Sequence, residues 1–334
     1  MTEMKAALTD RAYAAGWRLI RGLPEGTARR LFDAGGNWAG RRANRAAHRD
    51  GTPNQLRRNL SRVLGVSPMA VPDELIQASM RSYARYWREA FRLPSMDHAA
   101  ITAPDRMPPV ENIYRLDTAL AAGRGGILVL PHSGNWDMAG LWLAQHYGTF
   151  STVAERLRPE SLFRRFVAYR ESLGFEVFPL TGGEQPPFTQ LAERLRANRV
   201  ICLLGERDLT GNGVPVTFFG ERTWMPAGAA KLAVDTGAAL LPVHAWYTDV
   251  DGREGWAVRV DPEVDVSGGI AAATQALADR FAANIAAHPA DWHMLQPLWE
   301  ADLSAERRAR IATAQAQRTP SPQDPADNAG DDQR

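Results

Sequence analysis

The spacing of apolar residues changes character near residue 110. Before that point apolar positions recur at helical spacing. Ile76, Met80, Tyr83, Trp87 and Phe91 share one face of the stretch 73–92, and Pro94 ends it. A helix is predicted there, its aromatic stripe packed on the core. Residues 5–21 read as another amphipathic helix. Leu8, Ala12, Ala15 and Leu19 follow helical spacing, with Tyr13, Trp17 and Ile20 beside them and Arg11, Arg18 and Arg21 on another side. Such a helix either lies in a bilayer interface or docks its apolar stripe on the rest of the protein. Between these segments, Gly51-Thr52-Pro53-Asn54 marks a turn within the basic stretch 41–62.

Beyond residue 110, short apolar runs at 127–131, 174–180, 200–204 and 238–247 alternate with helical segments at 138–147, 160–173, 187–198 and 226–236. Alternation of this kind predicts an α/β fold: a central mixed, largely parallel sheet flanked by helices, with an N-terminal helical cap. The expected organisation is a cap and membrane-associating region over 1–105, an α/β core over 106–312 and a tail over 313–334. That tail turns polar, proline-rich and acidic from Thr319 onward and is expected to be disordered.

Composition adds constraints. With 334 residues, 45% of them hydrophobic, the chain can bury one large α/β core with a cap. No stretch approaches the roughly 18 uninterrupted apolar residues that a membrane-spanning helix needs. The start, Met1-Thr2-Glu3-Met4-Lys5, lacks the basic-then-apolar pattern of a signal peptide, so export is not expected. The lone cysteine, Cys202, sits in an apolar run; it excludes an intrachain disulfide and fits a reducing cytoplasm. Net charge is +1, yet residues 1–62 carry thirteen Lys or Arg against five Asp or Glu, an excess of +8. Such a region attracts anionic partners, whether acidic lipid headgroups or nucleic acid.

Candidate chemistry concentrates at strand ends, where open α/β sheets place their ligands. The run Ile127-Leu128-Val129-Leu130-Pro131 opens into His132-Ser133-Gly134-Asn135-Trp136-Asp137. Histidine suits a general base because its pKa lies near neutrality. A turn through Gly134 could fold the Asp137 carboxylate back to the imidazole and fix its tautomer. Asp137 could equally complement a helix N-terminus. The early amides of that helix would favour a phosphate or an oxyanion. Glu206 follows the run Val200-Ile201-Cys202-Leu203-Leu204; it could orient a histidine or pair with Arg207 or Arg222. Arg170 falls on the apolar stripe of Phe163, Phe166, Val167, Leu173 and Phe175. Facing inward, it requires an anionic partner such as Glu206, Asp137 or a substrate oxyanion, unless it snorkels outward. The Gly211-Asn212-Gly213 turn is a candidate for contact with a ligand headgroup, or an ordinary Asn-Gly turn. The small residues of 226–235 could wall an acyl tunnel or pack closely on the sheet, and Asp235 near the end of that segment could meet a thioester carrier.

A histidine, four residues and an acidic residue resemble the shared motif of glycerolipid and lipid A acyltransferases. Within them, LPHSGNWDMAG, TVAERLRPESLFRRFVAYRESLGFEVFPLTGGE, GERDLTGNGVPVTFFGE, MPAGAAKLAVDTGAALLPVH and HPADWHMLQPLWEADL look closest to the phosphatidylinositol mannoside acyltransferases of mycobacteria and related actinobacteria. The resemblance runs from about residue 10 to about 312 and leaves out the tail. It implies transfer of a palmitoyl chain from coenzyme A to the 6-hydroxyl of the mannose at the inositol 2-position. It also implies a soluble α/β core associated peripherally with the inner face of the plasma membrane; separately, a monomer is expected. Carried onto matching positions, His132 is the base, and Asp137 and Glu206 complete its charge relay. Arg170 sits beside the thioester, and Asn212 and Asp235 lie near the acyl donor. Gly205 departs from the pattern, where a bulkier residue is expected, and would loosen the strand end.

The mechanism expected is direct transfer without a covalent enzyme intermediate, a metal or a cofactor, with palmitoyl-CoA as co-substrate. Three alternatives compete. One is an acyltransferase of the same fold acting on lysophospholipid or glycerol phosphate. Another is a nucleic-acid-binding protein using the basic N-terminal region, although no recognition-helix, zinc-finger or stacking pattern supports it. The third is a catalytically silent membrane scaffold.

Overall fold

The computed structural model describes residues 16–156 and 159–316. Its N-terminal part is helical: α1 (Glu25–Asp50), α2 (Gln55–Leu64) and α3 (Asp73–Arg92). A linker and α4 (Tyr114–Ala121) lead into β1 (Gly126–Leu130), α5 (Trp136–Tyr147), β2 (Phe150–Ala154), α6 (Glu160–Glu171), β3 (Phe175–Pro179), α7 (Pro187–Arg196) and β4 (Val200–Leu204). A hairpin of β5 (Val214–Phe218) and β6 (Glu221–Met225) follows. Then come α8 (Gly228–Thr236), β7 (Ala239–Val250), β8 (Arg253–Val260), α9 (Gly269–Ala287) and α10 (Ala305–Ala316).

Six strands form one sheet in the order β3-β2-β4-β1-β7-β8. Every pairing is parallel except β7 with β8, so the sheet is mixed and largely parallel, flanked by helices. Strand β1 lies at its centre and is buried along its whole length. Ile127 and Val129 join one core layer with Leu240 and Phe281; Leu128 and Leu130 join the opposite layer with Met138 and Leu241. Coverage on both faces is why this strand reads as an unbroken apolar run rather than an alternating one. The apolar-run pattern missed β2, β5, β6 and β8, which mix polar with apolar residues. Two turn signals mark the hairpins: Phe219-Gly220 and Asp251-Gly252 both adopt positive φ at each residue, as the right-handed twist of a two-residue hairpin requires.

Helices α1 and α3 run antiparallel. A Cβ on Gly36 would come within 2.8 Å of the Arg81 backbone, and one on Gly40 within 2.8 Å of Gln77 Cα. Glycines four apart thus let two backbones meet. The predicted helix 73–92 forms, but its orientation corrects the expected packing. Met80, Tyr83, Trp87 and Phe91 are only half-buried, whereas Ser79, Ser82, Arg85, Tyr86 and Glu89 are buried. Of the predicted helix 5–21, residues 5–15 lie outside the described residues. In the remainder Trp17 docks on Phe91, Phe166 and Tyr169 and donates its indole N–H to the Phe91 carbonyl, while Leu19 is 68% exposed. Helix α10 continues to Ala316, and the tail from Thr319 lies outside the described residues.

Of the two readings of the small residues at 226–235, close helix–sheet packing is the one the structure takes: Ala229, Ala230 and Ala233 are buried in the core layer with Ile127, Leu240 and Phe281. One further expectation is corrected. Gly205 does not loosen the end of β4, because a Cβ there would lie 2.4 Å from Val129 Cγ1 and 3.3 Å from the Phe281 ring. The tight layer requires glycine at that point.

Candidate active site

The chain leaves β1 at Leu130 and turns sharply through residues 131–135 before entering α5. Gly134 has φ +60°, and a Cβ on it would stand 2.7 Å from the Ala245 carbonyl, so both conformation and space demand glycine. Asn135 caps α5, its Oδ1 accepting the Met138 amide at 3.0 Å. The turn is also stitched to a distant segment. Gly134 N–H donates to the Asp291 carbonyl at 2.9 Å, and His293 N–H donates to the His132 carbonyl at 2.8 Å. Backbone bonding on both sides gives His132 a fixed origin at the C-terminal rim of the sheet.

Glu206, two residues beyond β4, reaches the same point from the neighbouring strand. Its Oε1 lies 2.8 Å from His132 Nδ1 and accepts the His132 amide at 2.7 Å; the Trp292 indole N–H approaches at 3.4 Å. The Glu206 side chain is fully buried, while the imidazole is 26% exposed. Burial alone would raise the Glu206 pKa, but His132, through its ring and its amide, outweighs burial and holds the carboxyl below its ordinary value. With Nδ1–H donating to a carboxylate, Nε2 carries the lone pair. Among the described residues Nε2 has no hydrogen bond, which is the state a general base needs.

Asp137 does not take the expected place beside the imidazole. It is 1% exposed and its two oxygens are engaged elsewhere: Oδ1 accepts Arg170 Nε at 2.9 Å and Oδ2 accepts the Tyr86 hydroxyl at 3.1 Å. Helical geometry supplies the reason. Trp136 presents its ring to His132, with centroids 5.4 Å apart, and the next residue is rotated about 100° around the helix, toward α6 and α3. Arg170 therefore does face inward, with Asp137 as its anionic partner. Its terminal nitrogens carry no hydrogen bond among the described residues. Arg170, Asp137 and Trp136 line a narrow cavity of about 40 Å³ whose other walls include Phe150, Phe175 and Leu204. It shares Leu130 and Cys202 as walls with another of about 30 Å³ that extends past Leu143 toward Val258. Burial, ahead of the opposing Arg170 and the Asp137 charge, pushes the Cys202 thiol up to about 12, which disfavours the thiolate a nucleophile would need.

The other two candidates part company. Asn212 is exposed in the loop that follows Glu206, on the same rim as His132. Asp208 shapes that loop by accepting the Thr210, Gly211 and Gly213 amides. Asp235 lies at the opposite rim. Its helix runs back against the strands, and Ala239 just beyond donates to the carbonyl of Gly125 at the start of β1. Asp235 is exposed and pairs with Lys231 at 2.7 Å, one turn away on the same helix. Helix direction thus removes it from the rim where His132 stands.

Several site residues escaped the sequence. Helix α3 sends a buried polar row into the site. Tyr86 holds Asp137, and Ser82 bonds both Asp291 at 2.8 Å and His293 Nε2 at 2.9 Å. Glu89 accepts Asn135 Nδ2 at 2.6 Å and the Trp256 indole at 2.8 Å. A signal existed: Ser79, Ser82, Tyr86 and Glu89 recur at helical period within an otherwise aromatic helix.

A partly exposed imidazole backed by a buried carboxylate, set at the strand ends of a largely parallel sheet, suits a transferase that activates a hydroxyl. Comparison with known proteins narrows that class. Residues 2–301 match the family model described as bacterial lipid A biosynthesis acyltransferase, and the chain belongs to that family; it is an acyltransferase. It is 64% identical over 307 residues to the phosphatidylinositol mannoside acyltransferase of Mycolicibacterium smegmatis, covering 92% of this chain and 96% of that one. It is 62% identical over 305 residues to the protein of the same name from Mycobacterium tuberculosis H37Rv, covering 91% and 92%.

Proposed function

We propose that this chain moves a palmitoyl group from palmitoyl-CoA to the 6-hydroxyl of the mannose at the inositol 2-position of phosphatidylinositol mono- or dimannoside. The observation that carries the chemistry is the His132 Nδ1 to Glu206 Oε1 contact of 2.8 Å, which leaves Nε2 to act as base. The acceptor follows from the names of relatives 62–64% identical over almost the whole chain.

His132 Nε2 takes the proton of the mannose hydroxyl as its oxygen attacks the thioester carbonyl carbon. Glu206 stabilises the resulting imidazolium through Nδ1. The terminal nitrogens of Arg170, whose Nε is anchored on Asp137, stabilise the oxyanion. The intermediate collapses with cleavage of the carbon–sulfur bond, and the imidazolium returns its proton to the departing coenzyme A sulfur. The acyl chain enters the cavities beyond Arg170.

Among the described residues no helix is long and apolar enough to cross a membrane. Leu19, Leu31 and Trp38 are 68%, 58% and 63% exposed on the N-terminal helices among arginines, and Arg42 lies 5.5 Å from the Trp38 ring. That surface supports peripheral attachment to an anionic bilayer, on the cytoplasmic face where acyl-CoA is available. Purified protein given labelled palmitoyl-CoA and a panel of phosphatidylinositol mannosides, lysophospholipid and glycerol phosphate tests the proposal. Palmitate on the mannose 6-oxygen is expected. Transfer to lysophospholipid or glycerol phosphate in preference to mannoside would overturn the acceptor assignment.

A further inference from the structure

We propose that the groove beside Glu206 holds the phosphorylated end of a substrate, gripped by Arg207 and Arg307. This deepens the acyltransferase reading and rests on it for the choice of ligands. The groove, about 380 Å³, is bounded by the loop after β4, the β6 side chain Trp224 and the C-terminal segment that enters α10. Arg207 follows Glu206 directly. It is half-buried, and among the described residues it has no ion pair, hydrogen bond or ring partner. Among the described residues, most arginines buried to this degree have a carboxylate or carbonyl partner, as Arg62, Arg92 and Arg170 do. None of the Arg207 guanidinium nitrogens is sealed from solvent, so the planar fork stays open to the groove and matches phosphate oxygens.

The loop that presents Arg207 is held in place independently of any ligand. Asp208, its neighbour, spends its carboxylate on the loop's own amides and the Thr210 hydroxyl, so it does not neutralise Arg207. Arg307 reaches from α10 to the carbonyls of Asp208 and Leu209, at 2.5 and 3.3 Å, and adds its charge to the same groove. Gln296 and Ser304 contribute polar contacts, and exposed Glu155 stands on the lining as well. Its negative charge disfavours phosphate at its own position and directs the anion to the arginine side. Two substrates of the proposed reaction carry such an anion: the acyl donor has a nucleotide pyrophosphate, and the acceptor has a phosphodiester. Arg207 directly follows Glu206, so a phosphate held there lies on the strand-end rim that carries His132.

Direct binding tests this apart from turnover. Coenzyme A, pantetheine and glycerophosphoinositol are titrated calorimetrically into wild-type protein and into Arg207→Ala, Arg207→Lys and Arg307→Ala. Loss of one charge-assisted contact should weaken the phosphorylated probe about tenfold or more, with Arg207→Lys in between. Weakened coenzyme A with unchanged pantetheine assigns the groove to the donor; weakened glycerophosphoinositol assigns it to the acceptor. If wild type binds neither phosphorylated probe, the proposal is overturned. It is equally overturned if Arg207→Ala, or Arg207→Lys should the alanine variant not fold, binds both within twofold of wild type. Because no acyl transfer is measured, an error in the assigned acceptor sugar would leave the coenzyme A result intact.

Discussion

Asn135 donates its Nδ2–H to Glu89 Oε2 at 2.6 Å while its Oδ1 caps the Met138 amide. The amide of the turn that carries His132 is therefore oriented by a carboxylate on α3. Glu89 is buried and also accepts Arg85 at 2.7 Å, with Arg88 at 3.5 Å. Glu89→Ala strands buried guanidinium charge and should cost about 3–5 kcal/mol. Glu89→Gln should cost less and still lower kcat, since the Asn135 cap loses its charged anchor. Urea unfolding and initial rates check both; wild-type kcat in a folded Glu89→Gln would show that the turn holds itself.

On the proposed mechanism, His132→Ala should reduce palmitoyl transfer by at least about 10²–10⁴-fold; it also lowers the melting temperature, because the buried Glu206 carboxylate loses its Nδ1–H partner, so the rate is measured at a temperature where the variant is folded. Glu206→Gln should lower kcat strongly, with little change in KM, because the amide cannot stabilise an imidazolium. Activity close to wild type in either purified variant would remove that residue from the chemistry.

Asp137 and Arg170 form one unit rather than two independent contributors. Asp137→Ala, Arg170→Ala and the double variant should give a coupling energy of about 1–3 kcal/mol in unfolding. Each single variant should also lose activity, because the guanidinium is left without its anchor or is absent. Additive effects on stability would contradict the pairing.

Cys202 lines both cavities. Cys202→Phe should shorten the acyl chain that fits, so palmitoyl transfer falls about tenfold or more relative to octanoyl transfer, roughly the discrimination a few methylenes give. Overpacking should add about 1–3 kcal/mol of destabilisation. An unchanged chain-length profile would move the acyl chain elsewhere.

His244 is fully buried on β7, stacked with Trp246 at 5.1 Å and tilted against His288 at 5.2 Å, with both ring nitrogens unpartnered among the described residues. Burial, then the charges of His288 and Arg259, pushes its pKa down to about 3. His293 is likewise pushed down to about 3 by burial and by His132. From pH 6.5 toward 3 the unfolded chain therefore binds protons that the folded chain refuses. Stability should fall with acidification by up to about 1.4 kcal/mol per pH unit for each histidine. His244→Phe should flatten the dependence measured by urea unfolding between pH 7 and 5. An unchanged slope would mean that His244 is protonated in the fold.

The sequence by itself determined the α/β class, the strand runs at β1, β3, β4 and β7, and the emergence of His132 and Glu206 from adjacent strand ends. Each of these follows from local period and from a polar residue closing an apolar run. The partner of each charged group was decided only in three dimensions. Asp137 went to Arg170 because helical rotation turned it away from the imidazole. Asp235 fell on the far rim because its helix runs opposite to the strands. Glu89, Tyr86 and Ser82 joined the candidate site from α3 because the helical cap packs its polar row, and not its aromatic stripe, onto the turn that carries His132. Local spacing fixes which side chains share a face of one element; which face meets which neighbour depends on the packing of the whole core.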